Sequence, residues 1–147
     1  MNSLLKNCKI DYVGALVAAA NNTDSNSTRL DMSGYDGVLF LCTITDSVAT
    51  GVATLSVEAN TADSDTGMAA ITGASAAKTC TVNDDINGML LIVDVYRPQK
   101  RYVQGVRTSA TANIAFGEII AIRYKGRAAP VTQSTTTVAT STFVVGS

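Results

Sequence analysis

The sequence lacks histidine and tryptophan, and it has only two prolines among its 147 residues. Without histidine the commonest general base is missing, and a cysteine or serine nucleophile lacks its usual partner. The chain also has no Gly-x-Ser-x-Gly motif, no phosphate-binding loop and no Cys/His metal spacing. Asp84 and Asp85 are adjacent and would point apart on a strand, so they indicate a turn. We therefore expect no enzyme, and so no catalytic residue, no cofactor and no metal.

Cysteine is scarce as well. Cys8, Cys42 and Cys80 form no Cys-x-x-Cys pair and leave one thiol over, so a disulfide framework is not expected. Cys42 shares an alternating apolar face with Val38 and Phe40. This pattern predicts a small buried core residue rather than a reactive thiol.

Long hydrophobic runs are absent. No run approaches the ~20 residues that a transmembrane helix needs, so we expect no membrane segment. Lys6 and Lys9 precede the apolar run 12–20 and imitate a secretory signal. Because Asp11 adjoins this short run, we predict instead a first strand over Ile10–Ala19 and a chain made in the cytoplasm without a signal peptide.

Charged residues make up 16% of the chain and hydrophobic residues 46%, which is typical of one folded domain rather than a disordered chain. Most acidic residues precede most basic ones, although the formal net charge is only −1. An acidic end and a basic end for contacts between subunits are one interpretation. The other is that paired strands mix the charges. Nucleic-acid binding is not expected, because the pI is about 5.2 and no binding motif is present.

The apolar centre of the sequence is the stretch 88–124. Its first part predicts a strand, Met89–Tyr96, buried on both faces. Pro98 then ends this strand at a corner, since proline lacks an N–H. A second strand is predicted at Arg101–Arg107. A third spans 114–124 and has one apolar face at period two, formed by Ile114, Phe116, Ile120, Ile122 and Tyr124.

Upstream, alternation and turn signals predict further strands. Gly51–Ala59 alternates strictly and places Ala53, Leu55, Val57 and Ala59 on one face. The other predicted strands are Thr28–Met32, Val38–Thr45, Met68–Ile71 and Ala76–Val82. Turn signals recur roughly every ten residues, as in sandwiches and barrels. We predict an all-β antiparallel β-sandwich of about eight strands over residues 10–125, with an N-terminal arm at 1–9 and a C-terminal arm at 126–147.

A carboxylate interrupts the apolar strand before the corner. If Asp94 is buried it needs a partner, and Arg97 or Arg101 is close enough in sequence to bind it across the corner. We therefore predict a structural corner formed by Asp94, Arg97, Pro98 and Arg101. The alternative is that Arg97, Lys100 and Arg101 bind acidic residues of a partner.

The loop 60–67 holds the best candidates for an ion site, Asp63 and Asp65. The bidentate glutamate of an EF-hand is missing, because position twelve counted from Asp63 is Ala74. A solvated loop is therefore the favoured interpretation.

After Tyr124 the composition changes, and Gln133–Thr142 is a Thr/Ser tract that cannot form a core of its own. One interpretation is an arm that docks on a neighbouring subunit, with Phe143, Val144 and Val145 as anchors. Lys100 and Arg127 are further candidates for contacts with a partner. The alternative is an arm that folds back as an edge strand of its own domain.

Two segments of the centre are the most distinctive. Residues 94–103 are Asp-Val-Tyr-Arg-Pro-Gln-Lys-Arg-Tyr-Val, and residues 115–124 are Ala-Phe-Gly-Glu-Ile-Ile-Ala-Ile-Arg-Tyr. Together with 30–41, 49–58 and 125–132, they resemble a family of small tailed-phage and prophage proteins. The resemblance spans roughly residues 10 to 132, and its most specific part is the Tyr-Arg-Pro-x-Lys-Arg-Tyr core.

Members of this family are capsid cement, or decoration, proteins. The resemblance implies a jellyroll-like sandwich in the virion, on the outer surface of the phage capsid. It also implies a homodimer or homotrimer that clamps neighbouring subunits of the major capsid protein. A tail or connector component is the first alternative, because small β-sandwiches also serve in tails. A carbohydrate-binding adhesion sandwich is the second, although it needs an aromatic platform and the chain has no tryptophan.

Overall fold

The computed structural model describes residues 3–127 and 129–145. They form one short helix, α1 (Leu4–Asn7), and ten strands. The strands are β1 (Lys9–Gly14), β2 (Val17–Ala20), β3 (Thr23–Asn26), β4 (Leu30–Asp31), β5 (Gly37–Ser47), β6 (Val52–Asn60), β7 (Ala69–Thr79), β8 (Leu90–Tyr96), β9 (Tyr102–Ala110) and β10 (Ile114–Tyr124). No helix within these residues has the length and hydropathy that crossing a membrane requires.

The strands form two antiparallel sheets that pack face to face. Sheet A has the order β1-β10-β5-β8, with β2 also paired to β10. Sheet B has the order β3-β9-β6-β7, with β4 also paired to β9. The predicted all-β antiparallel sandwich is confirmed. The strand number is ten rather than about eight. Compared with the nine segments predicted as strands, the first is split after Gly14, β3 forms where no strand is predicted, and 68–71 and 76–82 join in one strand.

The inner faces of the two sheets make one continuous core. In β6 the predicted alternation is confirmed, since Ala53, Leu55, Val57 and Ala59 are all buried. Cys42 is fully buried on β5, also as predicted. Burying one Leu, Val or Phe side chain contributes about 1.5–3 kcal/mol, so this core accounts for most of the favourable folding energy.

Strand β10 changes its inward face part-way along. Ile114 and Phe116 face the core as predicted, but the pairing with β5 shifts between Phe116 and Ile119. Beyond this bulge, Ile119 and Ala121 are buried instead. The prediction of a single core face is therefore wrong for Ile120, Ile122 and Tyr124. Because side chains alternate at period two, one irregular step moves every later side chain to the other face.

Strand β8 is an edge strand, so the prediction that it is buried on both faces is also wrong. Leu91, Val93 and Val95 point into the core, whereas the alternate residues 90, 92, 94 and 96 are exposed. Elsewhere, the two short strands predicted at 68–71 and 76–82 are one irregular strand, β7.

Two arginines are buried between the sheets. Arg107 is 2% exposed, and its Nη1 donates to the carbonyls of Ala15 at 2.7 Å and Gly117 at 2.8 Å. Burial lowers the pKa of the Arg107 guanidinium. Arg123 forms a buried ion pair with Asp11 at 2.7 Å. Arg123 lies near the end of the sequence and Asp11 near its start, so this pair agrees with the interpretation that paired strands mix the charges.

Candidate partner-binding site

A pocket of about 450 Å³ lies at the corner between β8 and β9. Pro98 and Lys100 in that corner form one wall, and the turn between β4 and β5 forms another with Tyr35 and Asp36. Arg127 closes the pocket from the start of the C-terminal arm. Residues from three separate parts of the sequence therefore meet at one opening.

The corner is fixed by its backbone. Strand β8 ends at Tyr96 and β9 begins at Tyr102, so the predicted break at Pro98 is confirmed. Arg97 has a φ of 53°, an unusual conformation for a side chain of its size. Its N–H donates to the carbonyl of Asp36 at 2.7 Å, which ties the corner to the opposite wall.

The predicted bond between Asp94 and an arginine is wrong. Asp94 lies on the exposed face of β8, and its Oδ1 accepts a hydrogen bond from the Tyr124 hydroxyl at 2.7 Å. The Tyr124 ring reaches it over Gly37, where an added Cβ would lie 2.2 Å from the ring. Burial, and then the bond to Asp94, raise the pKa of Tyr124.

Arg101 is bound elsewhere. Its Nε and Nη2 donate to the two carboxylate oxygens of Asp31 at 2.9 and 2.8 Å. This two-bond contact lowers the pKa of Asp31. Arg127 also has an acidic neighbour, since its Nη2 lies 3.8 Å from Asp36. Two of the four cations at the pocket are therefore neutralised within the chain.

The other two cations are available. Arg97 and Lys100 form no ion pair with any residue in the described part of the chain. The Arg97 guanidinium lies 5.1 Å from the centre of the Tyr96 ring, and Lys125 lies 5.4 Å from the same ring. The contact with Tyr96 orients the Arg97 side chain without neutralising it. The pocket therefore has an excess of positive charge.

Behind the pocket, a buried cation supports the wall. The Arg123 guanidinium lies 4.8 Å from the centre of the Tyr35 ring, and its Nη1 donates to the Asp31 carbonyl at 2.8 Å. Asp11 holds this guanidinium from the core side. These supporting residues are not predictable from the sequence, because their contacts join positions far apart in the chain.

A second pocket, of about 380 Å³, lies between the β3–β4 loop and the loop 60–67. Here Arg29 binds Asp63 and Asp65, each at 2.7 Å. The two candidate carboxylates for an ion site, Asp63 and Asp65, are therefore bound to Arg29, which ties the loop to the domain. The loop is exposed, as the favoured interpretation expects.

The C-terminal arm lies against the N-terminal segment of its own chain. The Gln133 amide donates to the carbonyls of Leu5 and Cys8 and accepts from the N–H of Ile10. Phe143 packs under Lys6, whose Nζ is 4.2 Å from the ring centre. Of the three predicted anchors, Phe143 therefore contacts its own chain. Val144 and Val145 are 74% and 71% exposed.

The described arm favours the alternative in which it folds back, but as an irregular segment rather than an edge strand. The Val131 N–H donates to the Lys6 carbonyl at 2.7 Å, and the Gln133 amide adds bonds to main-chain groups of β1 and the segment before it. Docking on a neighbour stays a prediction for Val144 and Val145.

The geometry suits recognition of an anion. Arg97 and Lys100 offer a planar donor group and a mobile ammonium, which together match one or two carboxylates.

Comparison with known proteins gives a likeness in structure but not in sequence. No protein-family model and no curated protein sequence matches the chain. The structure is similar to that of the PBSX exported protein XepA, with 15% identity and a TM-score of 0.53. The match covers 98% of this chain but 46% of XepA, so the chain spans less than half of that protein.

Two weaker likenesses have TM-scores of 0.45 and 0.38. The first is to Bacillus endospore appendages, which form disulfide-linked pili, at 15% identity over 82% of this chain and 89% of that one. The second is to the enzymatically active domain of bacteriophage CBA120 tailspike protein 4, at 11% identity over 80% of this chain and 19% of that one. XepA is a phage-related protein. At these identities, the likeness to XepA shows the sandwich fold and nothing finer.

Proposed function

We propose that this chain is a structural phage protein, a capsid cement or decoration protein that binds the outer surface of the head. The resemblance of 94–103 and 115–124 to that family supports the proposal, as does the sandwich fold shared with a phage-related protein. In this role the protein stabilises contacts between major capsid subunits and changes no covalent bond.

The observation on which the proposal depends most is the pair of unneutralised cations at the rigid corner. Arg97 and Lys100 stand beside two cations that already have carboxylate partners. Acidic side chains of the major capsid protein are the partners that complete this arrangement. Many copies on one head add weak individual contacts into a strong total effect.

The test is binding of the purified protein to heads assembled from the major capsid protein of the same phage, measured by co-sedimentation. We expect the wild type to bind more weakly as salt increases. The double variant R97E/K100E should lose about tenfold or more in affinity, since each substitution places like charges in contact. K78E is the matched control, because Lys78 is exposed on β7 of the other sheet.

Three results contradict the proposal. If R97E/K100E binds heads as tightly as K78E does, the pocket does not contact the capsid. If the wild type binds no heads, the cement role is wrong. Density for this protein on the tail in an electron-microscopy map of the virion would support the tail alternative instead.

A further inference from the structure

The outer face of sheet A is apolar across neighbouring strands. The pairing register aligns Leu41 of β5 with Ile120 of β10 on one side and Ile92 of β8 on the other. Tyr12 of β1 pairs with Ile120 and extends the same row to the far edge of the sheet. One apolar row thus crosses all four strands, and the next row contains Leu39 and Ile122, which are paired directly.

This face lies outside the core of the chain. The partly buried side chains that pack against the core are Val17, Tyr35, Ile71 and Ala76, and none of them belongs to these rows. On β8, Leu90 is 54% exposed, Ile92 48% and Tyr96 51%. Tyr12 at the opposite edge is 41% exposed. Such a continuous apolar surface is unusual on a protein that stays monomeric.

The other sheet provides the contrast. The outward side chains of β6 are Thr54, Ser56 and Glu58, and Gln104 of β9 donates to Glu58 at 3.0 Å. Apolar and polar side chains therefore alternate along β6, as they do in a sheet with one face towards solvent. In sheet A, by contrast, β5, β8 and β10 have near-continuous apolar sequences, which are typical of sheets covered on both faces.

From this contrast, we infer that the outer face of sheet A binds the same face of a second copy of this chain, as a two-fold dimer of sheets. The row through Leu41 contains no charged residue, and acidic residues lie on either side of it. Asp94 of β8 is already bound to the Tyr124 hydroxyl, and Glu118 of β10 is exposed. A flat, apolar surface of this kind is complementary to itself, and two sheets pack at about 10 Å without special contacts.

The available area fits a weak dimer. The four outward side chains that are about half exposed, together with the half-buried rows between them, offer roughly 500 Å² per copy, taking ~200 Å² for each large side chain. Weak interfaces bury under about 600 Å² per partner, against about 800 Å² for a standard stable one. The basic pocket opens between the β8–β9 corner and the β4–β5 turn, and its lining contains none of the apolar rows. The inference of a dimer therefore does not rest on the proposed capsid role.

The test is sedimentation velocity of the full chain over a range of concentrations. We expect the wild type to sediment at twice the chain mass. I92K and Y12K should each raise the dissociation constant by about tenfold or more, because each places a charge inside an apolar interface. T54K is the matched control, since Thr54 points outward from the central strand of sheet B.

Circular dichroism and thermal unfolding of each variant test whether it keeps the sandwich. A wild type that stays monomeric at the highest concentration overturns the inference. So does a dimer that survives both I92K and Y12K. If I92K dissociates the dimer and Y12K does not, the copies pair edge to edge along β8, and the face-to-face arrangement is wrong.

Discussion

Single residues in this protein replace hydrogen bonds that irregular strands lose. Ala15 lies in the break between β1 and β2, and Gly117 lies at the bulge of β10. Both carbonyls accept from Arg107 Nη1. A buried carbonyl without a donor costs about 1–3 kcal/mol, so one guanidinium here stabilises two interruptions of sheet A.

We expect R107M to lower the free energy of unfolding by about 2–4 kcal/mol, since it keeps an apolar stem but removes both donors. Urea unfolding followed by circular dichroism measures this change. R97M is the control, because Arg97 is exposed, and a surface change of this kind should stay within ~0.5 kcal/mol. An R107M curve that overlays the wild type would mean that the two carbonyls do not depend on Arg107.

Tyr124 gives a prediction about pH. Its raised pKa means that folding favours the neutral phenol, because the ring is desolvated and its hydroxyl donates to Asp94. This contribution is fully present below the unfolded pKa of ~10 and is lost as the pH rises towards the folded value. Alkaline titration followed by phenolate absorbance should therefore show a late step in the wild type.

The late step should be absent in Y124F and preserved in Y12F, which removes an exposed tyrosine of sheet A. A late step that persists in Y124F would assign it to another tyrosine and contradict the contact with Asp94.

At the scale of elements, β10 shows what the sequence predicts and what it does not. The apolar pattern predicts the strand and its two ends, because Ile and Phe at 114–124 favour an extended chain. It does not show the bulge, which depends on how β10 meets β5. Since the residues after the bulge are apolar on both faces, the sequence offers no sign of which face turns inward. The same ambiguity made β8 resemble a strand buried on both faces.

Close packing at the bulge can be tested with a pair of substitutions. A Cβ on Gly117 would lie 2.0 Å from the Thr43 Oγ1, so G117A should destabilise the fold by about 2 kcal/mol. T43A removes that oxygen, so G117A/T43A should be less destabilised than the two single variants together. Chemical denaturation of the four proteins gives the coupling. Additive effects would show that Thr43 does not oppose the Cβ.

At the scale of the whole molecule, the site was predictable in part. Pro98 marks the corner, and the local run of basic residues 97–101 indicates the cations. Their partners were not predictable, because Asp31 and Asp36 reach the pocket through strand pairing between distant segments. Sequence proximity suggested Asp94 instead. Asp94, however, lies on the exposed face of β8 and binds Tyr124, whereas Arg101 binds Asp31.

The two surfaces together predict how the protein holds a capsid. If sheet A joins two copies, each dimer presents two basic pockets, and binding of the second pocket becomes intramolecular. I92K should then weaken binding to heads by about tenfold or more although it leaves the pocket intact. R97E/K100E should weaken binding to heads and leave the dimer unchanged. Co-sedimentation with heads and sedimentation velocity on the same preparations separate the two effects. If the I92K monomer binds heads as tightly as the wild-type dimer, one pocket is sufficient and the two surfaces act independently.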